Sequence, residues 1–186
     1  MVVPIAAAIV VLAPLLWIVV AYNNLVRLRN HCDEAWSNID TELRRRYNLI
    51  PNLVSTVKGY AEHERALLEE VTRLRETCVN ELGTPARQAD AENQLVRSLN
   101  RLMARVEYYP DLKASRNFLE LQEELVNTED RIQAARRFFN GNVRDLNNAV
   151  QTFPSSIIAG MGGFTCREFF EIDDVRVRAP VRVELG

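Results

Sequence analysis

Residues that commonly do chemistry are sparse in this sequence, and their spacing matches no known metal site. The 186 residues include two histidines. His63 and Glu64 begin a zinc-protease H-E-x-x-H motif, but position 67 is leucine, so the second histidine ligand is missing. A di-iron centre in a helical bundle needs Glu-x-x-His on two helices, and neither His31 nor His63 has a glutamate three positions before it. We therefore predict no metal and no cofactor.

Other catalytic patterns are not predicted either. The carboxylates are interspersed with arginines, which is typical of a solvated helix face. The glycines at 160, 162 and 163 lack the lysine and the preceding strand of a phosphate-binding loop. Three cysteines without a C-x-x-C pair favour a reducing compartment. The net charge of −2 disfavours nucleic acid as the main partner. We predict that the protein is not an enzyme, and we identify no small-molecule substrate.

The first 22 residues contain no charged or strongly polar side chain. A helix over residues 2–22 would be roughly 30 Å long, which matches the hydrocarbon core of a bilayer. A cleaved signal peptide would need a basic segment before the apolar run, and a buried core helix rarely runs this long without a polar residue. We predict an uncleaved transmembrane anchor whose side chains include Val2, Ile5, Val10, Leu12, Leu15, Trp17, Val20 and Tyr22.

The orientation follows from the basic residues beside this segment. No lysine or arginine precedes it, whereas Arg27 and Arg29 follow it closely. The positive-inside rule then places the N-terminus outside and the rest of the chain in the cytoplasm. The arginines at 44–46 would lie roughly 30 Å farther along a continuing helix, so we assign them to a solvated face.

Helical periodicity continues behind the anchor. Apolar residues recur every three or four positions at Leu25, Leu28, Cys32, Trp36, Ile39, Leu43, Tyr47 and Ile50. No breaker separates this helix from the anchor, and Pro51 either kinks it or begins the next helix with Asn48 as a cap. The second helix would end at the sequence Gly83-Thr84-Pro85, with Pro85 starting the third. The third would end near Pro110.

The last predicted helix covers residues 115–153. Its apolar spacing averages 3.5 residues, as in a left-handed bundle, over Phe118, Leu121, Leu125, Thr128, Ile132, Ala135, Phe139, Val143, Leu146, Val150 and Phe153. We predict an all-α fold with three parts: the anchor at 1–22, a helical-bundle domain at 23–153, and a Gly/Phe-rich elbow with a C-terminal tail at 154–186.

The elbow carries an apolar cluster whose role has two readings. It either plugs the end of the bundle or forms a contact with a second subunit, and the candidate contact residues are Ile157, Ile158, Phe164, Phe169 and Phe170. After Asp174, valines alternate with charged residues as in a strand, but no other segment is predicted to pair with it. We therefore predict an irregular or strand-like tail.

Several segments together match the motifs of one known family: Asn30 to Tyr60, which is the most specific, and then Tyr109-Pro110-Asp111, Asn117-Phe118, Phe153-Pro154 and Gly163-Phe164. In these segments the sequence resembles the LemA family of bacterial membrane-anchored helical proteins. It implies a long antiparallel four-helix bundle on a single-pass anchor in the bacterial inner membrane, and a loose association with membrane organisation and membrane proteases. It also implies packing or interface roles for Trp36, Asn38, Tyr47, Pro51, Asn52, Tyr60, Tyr109, Pro110, Asn117, Phe153 and Pro154.

Two functional hypotheses follow. The leading one is a membrane-anchored scaffold that forms a homo-oligomer and organises protein or lipid at the membrane. The alternative is an adaptor or regulator that binds another membrane protein, such as a membrane protease.

Overall fold

A computed structural model describes the backbone of residues 2–172 and the side chains of residues 12–172, except that of residue 62. Every regular element in this part is helical, and it contains no strand, so the all-α prediction is confirmed there. The helices are α1 (Val2–Lys58), α2 (Arg65–Asn80), α3 (Pro85–Val106), α4 (Pro110–Lys113), α5 (Arg116–Gln151) and α6 (Ser155–Met161), with a 3-10 turn at Glu62–Glu64.

The predicted apolar stripes form the core of the described residues. On α1 the buried residues include Leu25, Cys32, Ile39, Leu43, Tyr47 and Ile50, and on α5 they include Phe118, Leu125, Ile132, Phe139, Val143 and Leu146. Spacings of three and four place these side chains on one face of each helix, which is the face that packs inward.

The chain divides into two compact units, and the division falls within α1 and α5. Of the described residues, unit 1 comprises 2–39 and 135–169, and unit 2 comprises 40–134 and 170–172. In unit 1 the described elements are the first part of α1, the last part of α5, and α6. In unit 2 they are the rest of α1 and α5 with α2, α3 and α4. The predicted boundaries after residues 22 and 153 stay predictions, as does the four-helix bundle.

Pro51 does not begin a new helix, so that alternative is wrong. Helix α1 runs through Pro51 to Lys58, and the break comes at Gly59. Leu53 and Val57 continue the buried stripe at 0% and 1% exposure, and their burial offsets the hydrogen bond that proline cannot donate. The chain then turns because the amides of Tyr60 and Ala61 both donate to the Val57 carbonyl, at 3.0 and 2.9 Å.

The other helix ends lie close to the predicted ones. Helix α3 begins at Pro85, as predicted, but the Thr84 side chain makes no capping hydrogen bond. Helix α5 is shorter than the predicted 115–153 by one residue at its start and two at its end. Gly160 lies inside α6 rather than in an elbow, and Gly163 takes a φ of 69° just after it. The predicted strand-like tail beyond residue 172 lies outside the described residues.

Within the part of the chain that the structure describes, no helix combines the length and apolarity that a membrane crossing requires. The side chains of Val2, Ile5 and Val10 lie outside the described residues.

Candidate functional site

Unit 2 contains a buried ion-pair network centred on Arg46 of α1. Arg46 is 2% exposed, so its assignment to a solvated face is wrong. Its Nη1 donates to Oε2 of Glu129 on α5 at 2.8 Å, and its Nη2 donates to Glu92 on α3. Glu92 is fully buried and Glu129 is 20% exposed. One guanidinium therefore links three helices.

Neutral polar groups complete the coordination of both carboxylates. The Tyr47 hydroxyl donates to Oε1 of Glu92, and Nε2 of Gln88 donates to the same oxygen at 2.8 Å. Nε2 of Gln88 also lies 3.1 Å from the Tyr47 hydroxyl oxygen. On the other side, Nε2 of Gln133 donates to Glu129 Oε1 at 2.9 Å. We call Arg46, Tyr47, Gln88, Glu92, Glu129 and Gln133 the buried network.

Helix α2 contacts the buried network through one side chain, that of Arg75, and one backbone carbonyl, that of Cys78. Nε of Arg75 donates to the Tyr47 carbonyl at 2.7 Å, and Gln88 lies 3.3 Å from the Cys78 carbonyl. Side chains from α1, α2 and α3 therefore meet around Tyr47. Within the described residues, two buried atoms of the network, Arg46 Nε and Gln133 Oε1, have no hydrogen-bond partner.

Arg46, Tyr47 and the neighbouring Cys78 stay protonated in the environment of the buried network. Burial lowers the pKa of Arg46, but the charges of Glu92 and Glu129 outweigh it, so the pKa is raised and the guanidinium stays charged. Burial, and then the Glu92 charge, strongly raises the pKa of Tyr47. The same two causes raise the pKa of Cys78 to about 12. The hydroxyl and the thiol therefore stay protonated near neutral pH, and the arrangement suits structural pairing rather than nucleophilic attack.

Unit 1 presents an apolar surface at the start of α1. Exposure of the large apolar side chains between residues 12 and 22 ranges from 40% to 68%, and these are Leu12, Leu15, Leu16, Trp17, Ile18, Val19, Val20 and Tyr22. Soluble proteins seldom expose a continuous apolar surface of this kind. We call residues 12–22 the apolar segment.

Helix α6 packs beside the end of the apolar segment. Ile158, Ala159 and Phe164 form a small core with Leu25 of α1, flanked by Ala21, Val26, Ala149 and Val150. The Tyr22 and Phe164 rings meet edge to face, with centroids 5.6 Å apart. The Arg29 guanidinium lies 5.3 Å from the centroid of the Phe164 ring.

Polar contacts hold the segment that follows α6. The Asn147 side chain on α5 exchanges two hydrogen bonds with the Arg167 backbone: its Nδ2 donates to the carbonyl at 2.9 Å, and its Oδ1 accepts from the amide at 2.8 Å. The Arg167 guanidinium pairs with Asp33 of α1 at 2.6 Å. Residues 162–169 are thus tied to α1 and α5 of the same unit.

The five candidate oligomer contacts separate into two groups. Ile158, Phe164 and Phe170 are buried at 6%, 7% and 0% exposure. Ile157 and Phe169 are exposed. Two further apolar residues near α6, Phe153 and Met161, are also exposed, at 77% and 83%.

The predicted family-motif residues occupy varied positions. Trp36 packs against Phe139, with ring centroids 5.3 Å apart, and the Tyr109 hydroxyl lies 3.4 Å from a Glu64 carboxylate oxygen. The remaining motif residues, apart from Tyr47, are exposed: Asn38, Pro51, Asn52, Tyr60, Pro110, Asn117, Phe153 and Pro154. Among the described residues, no group of three or more His, Cys, Asp or Glu side chains is placed to hold a metal ion.

Comparison with known proteins agrees with the sequence resemblance. The LemA family model matches residues 35–185. The chain is 27% identical to magnetosome protein MamQ of Magnetospirillum gryphiswaldense over 80% of this chain and 64% of that protein. It is 28% identical to protein LemA of Metamycoplasma hominis over 74% of this chain and 63% of that protein. Magnetosome protein MamQ 2 of Paramagnetospirillum magneticum is 25% identical, over 92% of this chain and 71% of that protein.

The chain therefore spans less than two thirds of the length of the first two relatives. The family match covers the buried network, α6 and the Asn147–Arg167 contact that holds the segment after it. The chain belongs to the LemA family.

Proposed function

We propose that this protein is a membrane-anchored helical scaffold that self-associates and organises protein or lipid at the bacterial inner membrane, without catalytic activity. The observation that carries the proposal is the exposed apolar segment at residues 12–22. Covering one large apolar side chain contributes about 1.5–3 kcal/mol, so the whole segment is strongly driven out of water.

The directions of these side chains favour a bilayer over a protein partner. Residues 15–20 are consecutive in a helix, so neighbouring side chains point about 100° apart and surround the axis. A partner helix would cover one face of α1, whereas lipid covers every face at once. Arg27 and Arg29 follow the apolar segment, which supports an external N-terminus and a cytoplasmic bundle.

The buried network supports a structural rather than a catalytic role. Arg46 and Glu92 are at most 2% exposed, and each is already bonded to other side chains. A substrate would have to displace these pairs before it met a charged group. Such displacement leaves a buried charge unpaired and is strongly unfavourable.

Exposed apolar residues on α5 support self-association. Leu119 and Val126 lie seven residues apart in unit 2, and each is 49% exposed. A spacing of seven places both on one face, as in helix pairs that pack in register. A second copy of the chain is the partner that this face would contact.

Membrane insertion is tested by alkaline extraction of membranes from cells that make the full chain. We expect the natural protein to stay in the membrane pellet and the Leu12→Arg/Leu16→Arg variant to be released, because each arginine near the centre of a span costs about 2.5–3.5 kcal/mol. The Leu12→Ala/Leu16→Ala variant is the matched control and should stay in the pellet. Release of the natural protein, or equal retention of the arginine variant, would overturn the proposal.

An adaptor that binds another membrane protein is the second candidate. It is favoured by an open groove of about 1040 Å³ in unit 2, between the end of α1 and α2. Val54 and Leu68 give the groove apolar walls, and its charged residues are of both signs: Lys58, Arg65 and Arg73 with Glu69 and Glu76. An amphipathic helix of a partner protein, with charges of both signs, would suit this lining.

A further inference from the structure

Helix α6 has an outer apolar face that nothing in the described chain covers. Ile157 and Met161 are four residues apart, so they share one side of the helix, and they are 55% and 83% exposed. Phe153, just before the helix, is 77% exposed. Residues 152–166 carry no charge, although charged residues make up 26% of the whole chain. Such a face is unfavourable in water.

The packing of the inner face of α6 against α1 sets the position of α6 along the axis of α1, which we call its height. Ile158 and Ala159 pack against Leu25, with Ala21 and Val26 beside them. Leu25 lies three residues beyond Tyr22, which is roughly 4.5 Å along the helix axis. The polar headgroup layer on each side of a bilayer is about 5–8 Å deep. If the predicted anchor at residues 2–22 spans the hydrocarbon core, with Tyr22 at its edge, α6 lies at the depth of the lipid headgroups.

We propose that α6 is a second membrane contact, which lies on the bilayer surface and inserts Phe153, Ile157 and Met161 among the lipids. This inference rests on the proposed function, because it requires the membrane anchor. The outer face of α6 then continues the lipid-covered surface of α1. The apolar face of an interfacial helix is buried about 5–10 Å into the boundary between headgroups and acyl chains. The height of α6 along α1 agrees with this depth.

Charge selects a lipid surface over a second copy of the chain as the occupant. Arg27 and Arg29 are exposed on the turns of α1 next to α6, and the Arg29 guanidinium lies over the Phe164 ring that packs with α6. Cations at this height attract anionic headgroups. Two copies anchored in one membrane would carry these arginines at the same height, and like charges would oppose their close approach.

The test attaches a fluorescent label to single introduced cysteines of the full-length protein. The protein is placed in phosphatidylethanolamine/phosphatidylglycerol vesicles, in which some lipids carry a nitroxide near the headgroup that quenches a nearby label. Cys166→Ser removes the exposed thiol, while Cys32 and Cys78 stay buried. Met161→Cys reports on α6, and Ile157→Cys repeats the measurement at a second position. Val20→Cys reports on the anchor, and Glu34→Cys, an exposed position of unit 1, is the control.

We expect strong quenching at positions 161, 157 and 20, and little at position 34. Quenching at 20 with none at 157 or 161 would overturn the α6 contact and leave the anchor intact. No quenching at any position would overturn the anchor itself. Disulfide cross-linking of two Met161→Cys chains without lipid quenching would show that a second copy covers the face, which also overturns the inference.

Discussion

A buried guanidinium is strongly destabilising unless opposite charges and hydrogen bonds compensate for its burial. Arg46 is paired with two carboxylates through its two Nη atoms, while its Nε has no hydrogen-bond partner among the described residues. Its two carboxylate partners come from α3 and α5, at least 46 residues away in the sequence. Each carboxylate also accepts a hydrogen bond from a glutamine on its own helix, Gln88 for Glu92 and Gln133 for Glu129. The pairs therefore make one packing arrangement of the unit 2 helices more favourable than its alternatives.

Removing one partner of this pair should be far more damaging than removing both. We expect Arg46→Ala to lower the free energy of unfolding by about 3–5 kcal/mol, because Glu92 would stay buried without its cation. Arg46→Met combined with Glu92→Met should recover part of that loss, since the only carboxylate then left without its cation is Glu129, which is 20% exposed. Urea unfolding of the full-length protein in detergent, followed by far-UV circular dichroism, measures both changes.

The neighbouring Arg44 provides the control for this prediction. Arg44 pairs with Asp40 at 2.8 Å on an exposed surface, so Arg44→Ala should leave the unfolding transition unchanged. Equal losses for Arg44→Ala and Arg46→Ala would contradict the role of the buried network. The role would also be contradicted if the double methionine variant lost as much free energy of unfolding as its two single substitutions together.

The helical spacing of the sequence predicts that Arg46 is buried, although its charge suggests that it is exposed. Arg46 lies three residues after Leu43, one before Tyr47 and four before Ile50, so it belongs to the buried stripe of α1. A run of three arginines suggests a solvated face, yet the helical period gives each a different direction. The partners of Arg46 could not be predicted from the sequence, because spacing within one helix does not reveal which distant carboxylate the side chain contacts.

At the scale of the elements, periodicity predicted the helices well and their ends less well. The stripes of α1 and α5 are buried as expected because apolar burial dominates helix packing. Of the two alternatives at Pro51, a kink or the start of a new helix, the second is wrong: α1 continues to Lys58, since burial of Leu53 and Val57 outweighs one missing hydrogen bond. The short helix α6 was missed, because Gly160 and the two glycines after the helix resembled a flexible elbow and its seven residues show little periodicity.

The position of α6 depends on the residues that follow it, and Asn147 holds them. We expect Asn147→Ala to release residues 162–169 from α5, because it removes both hydrogen bonds to the Arg167 backbone. Losing these bonds should cost about 1–3 kcal/mol locally, which corresponds to roughly 5- to 150-fold faster amide exchange. Hydrogen exchange at residues 165–168, read by mass spectrometry, measures this change.

The next residue along the helix gives a matched comparison. Asn148 is exposed, so Asn148→Ala should leave exchange at residues 165–168 as it is in the natural protein. Unchanged exchange in Asn147→Ala would mean that other contacts, such as the Arg167–Asp33 ion pair, hold the segment alone.

For the whole molecule, each unit has a distinct part in the proposed function. Unit 1 contains the apolar segment and α6, the two surfaces that we assign to the membrane. Unit 2 contains the buried network and the exposed Leu119 and Val126, which we assign to helix register and to contact between copies. Family membership was predictable from the sequence, because its motif residues recur along most of the chain.

In the proposed scaffold, several copies of this chain assemble in one membrane. The most direct test is the native mass and composition of the full-length protein, extracted gently from its own membranes and measured by light scattering and mass spectrometry. The scaffold account predicts a discrete multiple of 21.3 kDa that contains only this chain. A monomer, or a stoichiometric complex with a different protein, would contradict it, and the latter result would favour the adaptor.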